Sequence, residues 1–115
     1  MHFKTNGHQE LFNSLVKKAG QDNDSEYAAA IYALSAIGKD INKYILPGEI
    51  KYPSLFEEAS VWSSGERALL KLSATLFNAS TWPVNIDDIF HHLDADNCQV
   101  AIQAIKIRYQ ERSNQ

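Results

Sequence analysis

Residues 63–78 read SSGERALLKLSATLFN, and this stretch decides what kind of fold the chain can make. Ser63 or Ser64 can accept hydrogen bonds from the free N–H groups of a first helical turn. Glu66 stands three residues after Ser63, the spacing at which a glutamate reaches back to the N–H of the capping residue. Beyond it, Ala68, Leu69, Leu72, Leu76 and Phe77 recur at helical spacing, and Leu70 and Ala74 widen the stripe. Arg67, Lys71, Ser73 and Thr75 fill much of the other face, and Asn78 is a reasonable stop. So wide a stripe predicts contacts on two sides, and hence a central helix.

Working outward, the preceding segment predicts a fold that is mainly α. Asn6 can cap a first helix whose apolar face is Leu11, Phe12, Leu15, Val16 and Ala19, with Gly20 as its stop. Residues 1–5 read as a loose lead-in. Gln21 to Ser25 form a polar turn, and Asp24 or Ser25 caps the next helix. That helix, about Glu26 to Ile37, is rich in alanine and nearly apolar all round, as expected of a buried helix closely packed on its neighbours. A short helix over Lys39 to Ile45 precedes the breaker Leu46-Pro47-Gly48. The last helix, about Ala95 to Arg112, carries Cys98, Ala101, Ile102, Ile105 and Tyr109 on one face, with Val100, Ala104 and Ile107 beside it, and is capped by Asp94 or Asp96. Residues 113–115 are expected to fray.

Residues 50–59 can be laid over residues 84–93 without a gap, and each copy precedes a longer helix. Two extended links, near Ile50 and Val84, can then pair as a short two-stranded antiparallel ribbon joining two EF-hand-like halves. Calcium sites do not follow. Lys43, Ile45 and Pro47 stand where a hard cation needs oxygen donors, and in the second copy only Asp88 is suitable. The expected architecture is a compact orthogonal bundle of five to seven helices forming one domain over residues 1–115.

Composition narrows the function. The chain has 115 residues, 44% of them hydrophobic and 22% charged, which suits one globular domain with a real core. A net charge of −3 without a basic cluster argues against nucleic-acid binding, which needs a cationic face for phosphates. One cysteine excludes an internal disulfide and a multi-cysteine zinc site. No apolar run resembles a secretory signal or a membrane span, so a soluble cytoplasmic protein is expected.

Two stretches invite chemistry. SSGERALLKL is similar to the signature segment of ABC-type and chromosome-maintenance ATPases, where a helix N-terminus meets nucleotide phosphate. The chain has no glycine-rich phosphate loop, and Ser64 replaces the second glycine of that signature, so capping is the better reading. The run His91-His92-Leu93-Asp94-Ala95-Asp96-Asn97-Cys98 is the densest polar constellation. His91, His92, Asp94 and Cys98 are the candidate metal ligands, and Cys98 with a nearby histidine is the candidate thiol nucleophile. Against that, Asp94 suits a helix cap, Cys98 suits a small buried hydrophobe, and His2 and His8 belong to the loose N-terminus. Glu57-Glu58 offers an acid–base pair or a solvated one. Trp62 and Trp82 bracket the central helix and are candidates for a protein contact.

Taken together, EYAAAIYALSAI, SSGERALLKLSATLFN, VNIDDIFHHLD and AIQAIKIRY resemble a family of small all-helical proteins of Gram-positive bacteria and their prophages, a domain of unknown function. The resemblance covers almost the whole chain. It implies a compact intracellular helical domain without assigned catalytic residues, and a phage or mobile-element context. The expected function is protein interaction, with another protein or with a second copy, without a cofactor. The alternative is a metal-binding or thiol-dependent enzyme centred on His91, His92, Asp94 and Cys98.

Overall fold

The structure is a computed structural model and describes residues 1–21 and 23–110. The turn residue Asp22, the expected helix end at Arg112 and the expected frayed residues 113–115 lie outside the described residues. Among the described residues six α-helices follow in order: α1 (Asn6–Ala19), α2 (Ser25–Ser35), α3 (Tyr52–Glu58), α4 (Ser64–Phe77), α5 (Ile86–Phe90) and α6 (Ala95–Tyr109). A two-stranded antiparallel ribbon, β1 (Ile45–Leu46) and β2 (Glu49–Ile50), lies between α2 and α3. The fold is therefore the mainly helical bundle with a short ribbon that the sequence predicts. None of these helices is long and apolar enough to cross a membrane.

The ribbon differs in one respect from expectation. Ile50 pairs with Ile45, and Leu46 with Glu49, so Val84 is not its partner. Pro47 and Gly48 make the tightest closure available, with Gly48 at φ 72°, a conformation open to glycine. A local pairing through a two-residue turn closes almost no loop, whereas Val84 follows a proline that has no N–H to donate. The two halves are thus not joined in the EF-hand manner. The expected helix over Lys39 to Ile45 shrinks to one 3-10 turn, Asn42–Tyr44, because Ile45 is drawn into the ribbon.

The helix around which the others pack is α2. It contacts α1, α4 and α6, and every residue from Ala29 to Ser35 is buried. Asp24 caps it by accepting from the Glu26 and Tyr27 N–H groups. Its alanines keep the backbone close to three neighbours, while Ile31, Tyr32 and Leu34 are fully enclosed. The stretch that opened the sequence reading, α4, begins with both halves of the capping box, Ser63 Oγ accepting from Glu66 N and Glu66 Oε1 accepting from Ser63 N. It packs on α2, α5 and α6. On α6 the buried seam is Val100, Ala101, Ala104 and Ile107, and Ile102 and Tyr109 are exposed, so the apolar face is rotated from the expected one.

The N-terminal segment is not a loose lead-in. Thr5, one residue before the expected cap, caps α1 through its hydroxyl. His8 is buried, and Phe3 packs against the core.

Among the described residues the buried polar side chains are His8, Ser35 and Ser73. The Ser73 hydroxyl on α4 donates to the Ala30 carbonyl of α2 at 2.8 Å. It therefore receives the hydroxyl proton of Tyr52, 2.7 Å away on α3. Burial holds the Tyr52 phenol far above its ordinary pKa, so it remains a donor. Replacing Ser73 with alanine strands the Tyr52 hydroxyl in the core, which costs about 1–3 kcal/mol in a urea denaturation. Combining Ser73→Ala with Tyr52→Phe removes both partners, and the double variant is expected to lose less stability than the sum of the two single ones.

Candidate functional site

The junction where α5 hands over to α6 holds the sequence's densest polar run. His91 ends α5 and His92 follows it, both exposed, with their rings edge to face at 5.3 Å. Asp94 is the N-cap of α6, its carboxylate accepting from Asn97 N at 2.9 Å. Cys98 is half-buried, and its thiol faces the Leu93 carbonyl at 3.8 Å. These residues are neighbours in the chain, yet their side chains do not converge on one point. No group of three or more His, Cys, Asp or Glu side chains that could hold a metal ion occurs among the described residues. His8, in turn, is committed to the interior on α1.

The same junction meets the N-terminus of α4. A cavity of about 400 Å³ lies between them, with Lys4, Ser63, Gly65, Glu66, His92 and Asp94 in its wall. This is the region the nucleotide-signature likeness singles out, so its electrostatics matter. Glu66 sits at the helix start and is held below the usual carboxylate range chiefly by the Ser63 N–H bond. Asp94 occupies the N-terminus of α6 in the same way. Both helix starts already carry a carboxylate, and the Lys4 ammonium is bound to Ala36 O and Asn97 Oδ1. The arrangement caps helices, and a carboxylate at each helix start places negative charge where an anion would have to sit.

Glu58 is likewise occupied. It accepts the Tyr44 hydroxyl at 2.6 Å, with Lys43 Nζ 3.8 Å away, while Glu57 is exposed beside it.

The two tryptophans part company. Trp62 is only 6% exposed and belongs to the core, which leaves it little surface to offer a partner. It follows the 3-10 turn after α3, and its carbonyl accepts from Arg67 at 2.7 Å. Trp82 is half-buried in the link between α4 and α5. That link is held by Asn78, whose carbonyl accepts from Trp82 N at 3.0 Å and whose side chain accepts from Thr81 N at 3.2 Å. The indole stacks on Phe56 at 5.0 Å with 23° between the planes. A cleft of about 230 Å³ opens beside the stack, with Pro83 and Val84 in its wall and Lys71 and Asp88 contributing opposite charges.

This cleft continues inward as a row of rings. Phe56 and Trp82 lie 6.5 and 6.0 Å from Tyr52, Tyr52 lies 5.6 Å from Phe77, and Phe77 meets Tyr27 edge-on at 4.9 Å. Sequence reasoning found Trp82 but missed Phe56, Val84 and Lys71 as its companions. The available signal was the apolar run Trp82-Pro83-Val84 between polar turn residues, too short for a helix yet too apolar for a free loop.

The fold and cleft define a small helical domain with an aromatic surface notch. No family model matches the chain, and searches of curated proteins and of solved structures returned no match.

Gly65 tests the contact between the two helix starts. A β-carbon there would lie 3.2 Å from the His92 carbonyl. Helix propensity alone makes Gly→Val favourable by a few tenths of a kcal/mol. Crowding against a backbone atom instead predicts that Gly65→Val lowers stability by about 1–3 kcal/mol in thermal or urea denaturation.

Proposed function

We propose that this domain acts by binding another protein, and that the cleft beside the Phe56–Trp82 stack receives an apolar side chain of the partner. The observation that carries this reading is the half-buried indole stacked on Phe56 at the edge of a formed notch. Its volume, about 230 Å³, is below the roughly 300–1,000 Å³ of small-molecule and cofactor sites, and suits one anchoring side chain. Aromatic residues set in pockets are the usual energetic centres of protein interfaces. The opposed charges of Lys71 and Asp88 would orient the partner's backbone or its flanking charges. Ile86, 74% exposed and two residues after Val84, would add apolar area at the margin. The resemblance to small helical proteins of Gram-positive bacteria and prophages fits an accessory role of this kind.

The test compares the parent with Trp82→Ala and with Lys71→Glu in capture from the native host, followed by light scattering of the purified chain. Binding centred on the notch predicts at least tenfold weaker retention for Trp82→Ala, the loss expected of an interface hot spot. Lys71→Glu, at an exposed rim position, should weaken retention while leaving the unfolding midpoint unchanged. A strictly monomeric chain that retains no partner would overturn the proposal, as would a partner held equally well by both variants.

A further inference from the structure

Residues 1–5 lie as a strap across α1 and α2, and their ties are unequal in kind. His2 N donates to Gln103 on α6 at 3.2 Å, and the Tyr32 hydroxyl donates to the His2 carbonyl. Lys4 Nζ donates to Ala36 O and Asn97 Oδ1 at 3.1 and 3.0 Å. Phe3 fills the space above Phe12 and Tyr32, with ring centroids 5.6 and 5.7 Å away. Besides the Thr5 cap on α1, a further tie runs through His8, which is 3% exposed and lies against both Phe3 and Tyr32.

The two ring nitrogens of His8 face partners of opposite character. Lys4 N–H points at Nδ1 from 3.1 Å, so Nδ1 has to be an acceptor. The ring proton then sits on Nε2 and is donated to the Tyr32 carbonyl at 2.9 Å. This tautomer satisfies both nitrogens and leaves no room for a second proton. A proton on Nδ1 would set N–H against N–H inside an aromatic enclosure.

We propose that His8 is a proton-operated latch. Protonation of Nδ1 expels the Lys4 N–H, and residues 1–5 leave the Phe12–Tyr32 face, which becomes an apolar surface exposed by acid.

The electrostatic surroundings support this direction. Burial lowers the His8 pKa below 6.5; the Tyr32 carbonyl raises it, and Lys4 and His2 lower it further. The strap faces the ring with the Lys4 ammonium and the His2 imidazole, α2 contributes the Tyr32 phenol, and Lys106 on α6 shares a recess with His2. A histidine whose pKa is lowered in the closed state favours closure fully above pH 6.5. Below 6.5 the open state, in which the ring reaches water, takes up the proton first. Each pH unit between 6.5 and the closed-state pKa shifts the equilibrium toward opening by up to tenfold.

Nuclear magnetic resonance of the full chain between pH 7.5 and 5.0 tests this without reference to any partner. The Phe3–Tyr32 and Phe3–Phe12 ring contacts should vanish, and the Lys4 amide should move to its unstructured position, with the midpoint of the His8 ring titration. Signals of α2 and α4 should keep their dispersion. His8→Phe, or His8→Gln if the first fails to fold, should abolish the pH dependence, and His2→Gln should preserve it. Strap contacts that persist at pH 5.0, a transition that survives in the His8 variant or disappears in the His2 variant, or α2 signals that collapse in the same step would each overturn the latch.

Discussion

Enclosure of α2 is the constraint to which the other helices answer. An alanine-rich helix buried from Ala29 to Ser35 cannot be covered by one partner, and α1, α4 and α6 share the task. Burial of Ile31, Leu34 and Tyr32 contributes about 1.5–3 kcal/mol for each such side chain, but that attraction has no direction. Direction comes from a few polar bonds. His8 ties α1 to the Tyr32 carbonyl, Ser73 ties α4 to the Ala30 carbonyl, and Arg108 of α6 donates from Nε to the Leu76 carbonyl at the end of α4. Each would be expensive to leave unmade in a low-dielectric interior, so each fixes the rotation of one helix against the next.

The polar tie of α4 also reaches the surface. Ser73 holds the Tyr52 hydroxyl, Tyr52 packs against Phe56 and Trp82, and those two rings shape the notch between α3 and the link into α5. The notch is consequently set by a hydroxyl in the core as well as by the loop that carries Trp82. On the far side of α2, the strap, His8 and Phe12 form a second aromatic group around Tyr32. One helix thus supports two aromatic clusters, one opening to the surface and one closed by the strap.

Local signals carried most of the fold. The capping box of Ser63 and Glu66 and the leucine spacing located α4 almost to the residue, and the composition of residues 26–37 alone marked α2 as enclosed. What the sequence concealed depends on distant partners. Nothing near His8 announces that its ring will meet a carbonyl 24 residues away. The Ile50–Ile45 pairing was hidden because Pro47-Gly48 ends a helix and turns a hairpin with the same chemistry. On α6, Val100, Ile102, Ile105 and Ile107 offer apolar side chains around much of the circumference, so periodicity left the buried seam undecided. The choice between Trp62 and Trp82 turned on a single 3-10 turn that carries Trp62 inward.

The polar residues that suggested chemistry in the sequence are largely engaged in architecture. Asp94 and Ser63 cap helices, Glu66 closes the capping box, Glu58 holds Tyr44, and Asn97 receives Lys4. Glu66, held below the usual carboxylate range chiefly by the Ser63 N–H, stays an anion in its capping box and is poorly suited to trade protons. The stacked Trp82–Phe56 pair differs, because its inner edge is fixed by Tyr52 while one face of the indole still borders an open cleft. Exposed aromatic area without a covering side chain keeps the free energy of its own burial in reserve, and a partner that fills the cleft would release it. That asymmetry, with those capping and helix-tying polar groups engaged by the fold and an aromatic group covered on one side, is the physical basis for reading this helical domain as a binding module.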